Sequence, residues 1–359
     1  MTWRSRVLAA LAALIATTTV GAGTGAAETT GSRGFLPAVD REVQFDVDGT
    51  TTYATVHVPA HRAGHRMAAA LLLPGSGPTD RDGNQPPVLT PSTLALITDA
   101  LGGDGVMTLR FDKYGTGQTG LGQYRGNPGR IDMAAFTRQA AAAYGALREQ
   151  PEADPHALLI VGHSEGALRA LLVAPIVRPE PVGLALLAPQ DQRLLDTLDR
   201  QLAALIDQDV AAGRLTEAQG EANRNGISRA IADFRAGRPV DTSGIVPTIA
   251  TLLNSLFGPL NARYIRTDDA VYPPDAARKL HPGTRVTVTC GTADTNVPCW
   301  TTPPLVSALA DAHTSGPGLK ILPDLDHFLH PAGTPANDKT LAPAALQALH
   351  DFTRPWRRD

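Results

Sequence analysis

The stretch Gly162-His163-Ser164-Glu165-Gly166 follows directly on the apolar run Ala157 to Val161. It leads straight into Ala167 to Val173, a mostly apolar stretch that reads as helix. A buried strand that breaks this abruptly into a helix leaves room only for a very tight turn. The serine at its apex takes strained backbone angles, and glycine alone fits on either side. The strain lifts the Ser164 hydroxyl clear of the strand end, and the helix N-terminus aims backbone N–H groups at negative charge developing there. A G-x-S-x-G in this setting is a nucleophile elbow, and the rest of the chain has to supply a strand-and-helix scaffold around it.

That scaffold is visible as alternation. Met67 to Leu73, Val106 to Phe111, Val182 to Leu187, Arg285 to Thr289 and Leu319 to Leu322 read as short buried strands. Helical pattern fills the gaps, from Pro91 to Leu101 and from Met133 to about Glu149, the second capped by Asp132. Gln44 to Val47 and Tyr53 to Pro59 alternate as two antiparallel strands around the turn Asp48-Gly49. The pattern predicts an α/β fold with a mostly parallel central sheet and helices on both faces. From about Gln190 to Leu280 the strand signal stops. Leu194, Leu195, Leu198, Leu202, Leu205 and Ile206 share one face of a first helix, and further helices follow at Thr216 to Phe234 and Ile249 to Leu256. This predicts a helical cap inserted between core strands, with Arg200 and Glu221 on its exposed side. The expected organisation is a leader over 1–27, core over 28–189, cap over 190–280 and core again over 281–359.

The leader is expected from Arg4 and Arg6, the apolar run Val7 to Ala16 and the small-residue end Gly25-Ala26-Ala27. These are the parts of a secretory signal peptide, with cleavage after Ala27 or, as alternatives, after Ala22 or Ala26. Its two arginines leave with it, taking the formal charge from −3 to −5. No basic block interleaves with aromatics, so nucleic acid is not an expected partner, and no mature segment is apolar enough to span a membrane. The expected location is outside the cytoplasm, secreted or in the cell envelope. Only two cysteines occur, Cys290 and Cys299, and in an exported chain a close pair reads as a disulfide. A metal site would need further ligands nearby, and none stand there.

A serine hydroxyl needs a base to take its proton and an acid to orient that base. Behind such an elbow the acid comes next in the chain, then the histidine. Asp294 follows a strand in Cys290-Gly291-Thr292-Ala293-Asp294, with Asp191 as the alternative acid. His327 and His330 share the loop after the last strand, and His327, nearer the strand end, is the favoured base. His313 and His350 fall on predicted helices, His163 is expected to orient the turn or pack under it, and His61 and His65 read as exposed. The oxyanion donors are expected to be the backbone N–H groups of Glu165 and Ser76, the latter in the loop Pro74 to Asn84. Asp80, Arg81 and Asp82 are expected to brace that loop.

Taken together, Leu73 to Asn84, Arg110 to Gly117, Gly162 to Gly166, Gly291 to Pro298 and Asp326-His327-Phe328 resemble an α/β-hydrolase of the bacterial esterase and serine-aminopeptidase-like branch, which includes monoglyceride-lipase-like enzymes. The resemblance implies Ser164 as nucleophile, Asp294 as acid, His327 as base, and Ser76 with Glu165 as oxyanion donors. Two departures from it affect loop geometry: Pro74 stands where many relatives have histidine, and Tyr114 where they often have arginine. The expected activity is hydrolysis of small carboxylic esters with no metal or organic cofactor. The alternatives are a peptidase or amidase of short peptides, with Glu165 at the mouth holding a substrate amino group, and a hydrolase-fold binding protein without catalysis.

Overall fold

The computed structural model describes residues 34–357, so the expected leader lies outside the described residues. Among the described residues ten strands are formed: β1 (Phe35–Leu36), β2 (Val39–Val47), β3 (Thr50–Val58), β4 (His61–Arg62), β5 (Met67–Leu73), β6 (Met107–Phe111), β7 (Ala153–His163), β8 (Gly183–Leu187), β9 (Arg285–Gly291) and β10 (Ser315–Leu322). Eight of them make one sheet in the spatial order β10-β9-β8-β7-β5-β6-β3-β2, while β1 pairs with β4 alone. From β6 across to β10 all neighbours are parallel; β2 and β3 are antiparallel additions at one edge. The β2–β3 hairpin turns on Asp48 (φ 51°) and Gly49 (φ 76°), the two positive φ values that a two-residue turn matched to strand twist requires.

Successive residues of a strand face opposite sides, and β5 uses both. Ala69, Leu71 and Leu73 pack with Leu158, Ile160, Leu184, Leu186, Val286 and Val288 on one side. They are covered by α2 (Met133–Arg148), α3 (Glu165–Val173) and α9 (Pro303–Asp311). Ala68, Ala70 and Leu72 pack on the other side with Leu159, Val161, Ala185 and Leu187, under α1 (Thr93–Gly103) and α10 (Pro343–Thr353). This two-faced burial is why these strands read as continuous apolar runs. Asp132 caps α2 as expected, accepting from Ala135 N at 2.9 Å.

Between β8 and β9 come α4 (Leu194–Ala211), α5 (Glu217–Arg235), α6 (Pro247–Leu256), α7 (Ala262–Asp269) and α8 (Pro273–Ala277). The first four pack around an apolar cluster of their own, built from Leu195, Leu198, Leu202, Leu205, Ile206, Ile227, Ile231, Phe234, Leu252 and Leu253. Thr216 and Gln219 close a capping box at the start of α5. The stretch assigned to the cap extends too far at its C-terminal end: Ala276, Ala277 and Leu280 lie in the main core against α3 and α9. As a packing unit the helical layer therefore ends near Asp269. Helical propensity alone carries no sign of which core a helix joins.

Candidate active site

β7 runs to His163 and α3 begins at Glu165, so Ser164 is the whole turn. Its φ of 57° and ψ of −123° lie in a region L-residues rarely adopt. A Cβ on Gly162 would stand 2.3 Å from the Gly166 carbonyl oxygen, and one on Gly166 would stand 2.1 Å from that of Leu73. Both obstacles are backbone, so glycine is obligatory at each position. The Ser164 N–H donates to Leu187 O (2.9 Å) and Gln190 N donates to Ser164 O (3.0 Å), pinning the turn to the end of β8.

His327 Nε2 lies 3.0 Å from Ser164 Oγ, and His327 Nδ1 lies 2.8 Å from Asp294 Oδ2. The other Asp294 oxygen accepts from Asn296 N and Val297 N, both at 2.8 Å, so the buried carboxylate is fully engaged. The loops carrying acid and histidine meet directly: Ala293 N donates to Leu325 O, and Gly291 approaches that same carbonyl so closely that a Cβ would stand 2.3 Å from it. The disulfide Cys290–Cys299 closes the Asp294 loop from below. Burial pulls the His327 pKa down, but the Asp294 charge and hydrogen bond outweigh it and leave the imidazole above its ordinary value. His163 packs under the turn, 5.0 Å from the His327 ring, and its Nε2 lies 2.7 Å from His327 O. Burial, then the neighbouring His327, push its pKa down to about 3, so it stays neutral.

The alternatives from the sequence sit elsewhere. Asp191, after β8, is buried and accepts from the Thr301 hydroxyl at 2.8 Å; burial raises its pKa to about 6. His330 is fully buried, with its backbone N–H donated to Asp326 Oδ1. A cleft of about 90 Å³ opens over Ser164 and His327, lined by Ser76, Gln190, Leu194, Thr197, Leu198 and Gln201 among others. Among the described residues, no Asp, Glu, Lys or Arg side chain lines it. The Glu165 N–H belongs to the first turn of α3 and has no intrahelical partner. Gly75, beside Ser76, lies against Ser164; a Cβ there would stand 3.3 Å from Ser164 Cβ.

No protein-family model matches the chain, and neither does any curated protein. Solved structures do match in shape. Est1E of Butyrivibrio proteoclasticus, solved with ferulic acid bound, is 16% identical over 88% of this chain and 98% of its own, with a TM-score of 0.53. An esterase of Pyrococcus furiosus is 12% identical over 89% and 91%, with a TM-score of 0.54. An acylaminoacyl peptidase matches at 11% identity over 90% of this chain and 42% of its own, with a TM-score of 0.53. The chain has the α/β-hydrolase fold.

Within this α/β-hydrolase fold, several side chains lie where sequence reasoning did not put them. Glu165 does not reach the mouth. Its side chain is 1% exposed and forms an ion pair with Arg169 one turn along α3, in a buried cluster with Lys113, Tyr264 and Asp268. A residue next to the nucleophile can point into the cleft or behind it, and only the helix phase decides. Arg200 is not a free surface charge: its Nη2 donates to Asn296 O at 2.6 Å and its guanidinium lies 5.9 Å from the Trp300 ring, steadying the Asp294 loop. Glu221 is exposed as expected. His61 is buried, with Nδ1 2.9 Å from Pro59 O, and is not an exposed loop residue; His313 lies just past the end of α9. The Asp80-Arg81-Asp82 loop is braced as expected, Arg81 bridging Glu42 and Asp112 while Asp80 Oδ1 accepts from Asp82 N and Asn84 N.

Proposed function

We propose that the protein is a serine hydrolase that cleaves small, uncharged carboxylic esters through an acyl-enzyme. Ser164 Oγ attacks the acyl carbonyl as His327 Nε2 takes its proton, with Asp294 holding the ring and stabilising the imidazolium. The oxyanion rests on the Ser76 and Glu165 N–H groups. His327 then protonates the departing alkoxide, and a water activated in the same way releases the acid and regenerates Ser164.

The observation that carries the reading is the Ser164–His327–Asp294 hydrogen-bond chain opening on a cleft without an ionised carboxylate or cation. An enzyme that removes residues from a free peptide N-terminus needs a carboxylate to hold the ammonium, and the Glu165 side chain is paired with Arg169 in the interior instead. The small cleft favours short acyl groups. We further propose export by the N-terminal leader, which fits the Cys290–Cys299 disulfide.

A fluorophosphonate probe tests the core of this. Ser164 is expected to be the labelled residue, and Ser164→Ala to abolish labelling and lower ester turnover by about 10⁴-fold or more while the melting temperature holds. Labelling that persists in Ser164→Ala overturns the nucleophile. Turnover of aminoacyl amides exceeding that of acetyl and butyryl esters overturns the substrate class.

A further inference from the structure

Lys113 lies just beyond β6, 3% exposed, and its Nζ donates to the Gly75 carbonyl at 2.6 Å. A buried ammonium is costly, and a methionine would fill the same space without that cost. Something other than packing keeps the charge there. In a trans peptide the C=O of one residue and the N–H of the next point in opposite directions, and the Gly75–Ser76 bond is not among the cis bonds of the described residues. Ser76 borders the cleft over Ser164, whereas Lys113 borders a separate apolar pocket with Gly77, Phe136 and Tyr264. The following carbonyl, that of Ser76, is held independently by the Thr79 hydroxyl (2.7 Å) and Gln85 Nε2 (3.1 Å).

We propose that Lys113 is a positioning residue of the oxyanion hole: by holding the Gly75 carbonyl it sets the plane of the Gly75–Ser76 peptide so that the Ser76 N–H faces the reacting carbonyl. The proposal rests on the serine-hydrolase reading above. Its charge also polarises that amide, making the N–H a better donor as the oxyanion forms. Around the ammonium stand Glu165 and Arg169 from α3 and Asp268 from α7, with the Phe136 ring of α2 5.8 Å away. Burial brings its pKa down to about 8, with Glu165 opposing the shift. Loss of the ammonium therefore falls within an accessible pH range.

The test uses the full chain with Lys113→Met and Lys113→Gln. For Lys113→Met, kcat is expected to fall about 100-fold with KM within about threefold, because only transition-state stabilisation is lost. The inhibition constant of a trifluoromethyl ketone, which forms the tetrahedral oxyanion, should weaken in parallel with kcat/KM. Lys113→Gln, a neutral donor of similar reach, should recover part of kcat. The wild-type protein should lose kcat with a midpoint near pH 8, a limb absent from Lys113→Gln. Unchanged kcat and ketone affinity in Lys113→Met overturn the proposal. Should Lys113→Met not fold, an alkaline limb that persists unaltered in Lys113→Gln overturns it instead. If the wild-type protein takes no fluorophosphonate label, the hydrolase reading itself has failed and the proposal falls with it; a labelled wild type with an indifferent Lys113 refutes the proposal alone.

Discussion

His163 and His327 stand with ring centroids 5.0 Å apart, yet their surroundings move their protonation in opposite directions. For His327 the folded pKa is raised, so its contribution to stability is complete below the unfolded value of about 6.5 and is lost as pH rises through the folded value. In the proposed reaction it acts in its neutral form, so the acid limb of kcat/KM should lie above the ordinary histidine value. For His163 the folded pKa is near 3, so between pH 6.5 and 3 the unfolded chain binds a proton the native protein does not. Stability falls as pH drops through that window, by about 3 kcal/mol at pH 4 from this residue. Denaturant titrations at pH 7 and pH 4 should show the loss in the wild type and a smaller one in His163→Gln. Equal losses would mean that the imidazole is not held neutral. The sequence singled out Ser164, Asp294 and His327, which the structure joins in one hydrogen-bond chain, because a strained turn and strand-end loops leave marks in composition. It did not expose the facing of Glu165, since a single helical residue carries no periodicity, nor the task of Lys113, which acts through a carbonyl any residue could supply.

In the proposed reaction α4 bears on acyl selectivity. Leu194 and Leu198 line the cleft, Leu198 also joining the apolar cluster shared with α5 and α6, whereas Leu202, Leu205 and Ile206 lie in that cluster and not at the cleft. Leu194→Ala and Leu198→Ala should enlarge the acyl site and shift preference toward longer esters, each methylene being worth about 1 kcal/mol. Leu202→Ala and Leu205→Ala should leave the acyl-length profile flat and destabilise by about 2–5 kcal/mol. Profiling the four variants on acetyl to octanoyl aryl esters, with melting curves alongside, separates the two groups. A flat profile for Leu194→Ala and Leu198→Ala would make α4 a cover only. The apolar face of α4 was legible from spacing, but its division was not, because both groups are equally leucine. β1 and β4, two residues each, left no mark in the sequence, and β10 was legible only in part: Gly316, Pro317 and Gly318 interrupt its pattern, so only Leu319 to Leu322 read as strand, whereas the pairing with β9 begins at Ser315.

At the scale of the whole molecule, the order β10-β9-β8-β7-β5 brings together groups far apart in the chain, from Ser76 after β5 to His327 after β10, because parallel strands present all their C-terminal ends at one edge. The alternation of apolar runs was enough to anticipate this sheet, since the runs in β5, β7 and β8 are buried on two faces. The end of the helical layer was not, since Ala276 and Ala277 look like any other helix. The route of the chain between β8 and β9 has a practical consequence. These two strands are parallel neighbours, Gly183 beside Arg285 through Leu187 beside Thr289, yet residues 188–284, mostly helical, separate them in sequence. The exposed turn after α5, around Gly237 to Gly244, is far from the sheet in chain terms on both sides. Opening the backbone there gives two polypeptides, one with Ser164 and the oxyanion loop, the other with Asp294 and His327. Neither contains a working site, and the β8–β9 seam gives them a surface on which to rejoin. Fused to two proteins that associate, the fragments should act as a proximity reporter, regaining ester turnover only when their carriers meet. Turnover by either fragment alone would contradict the assignment of nucleophile and base to opposite sides of that seam.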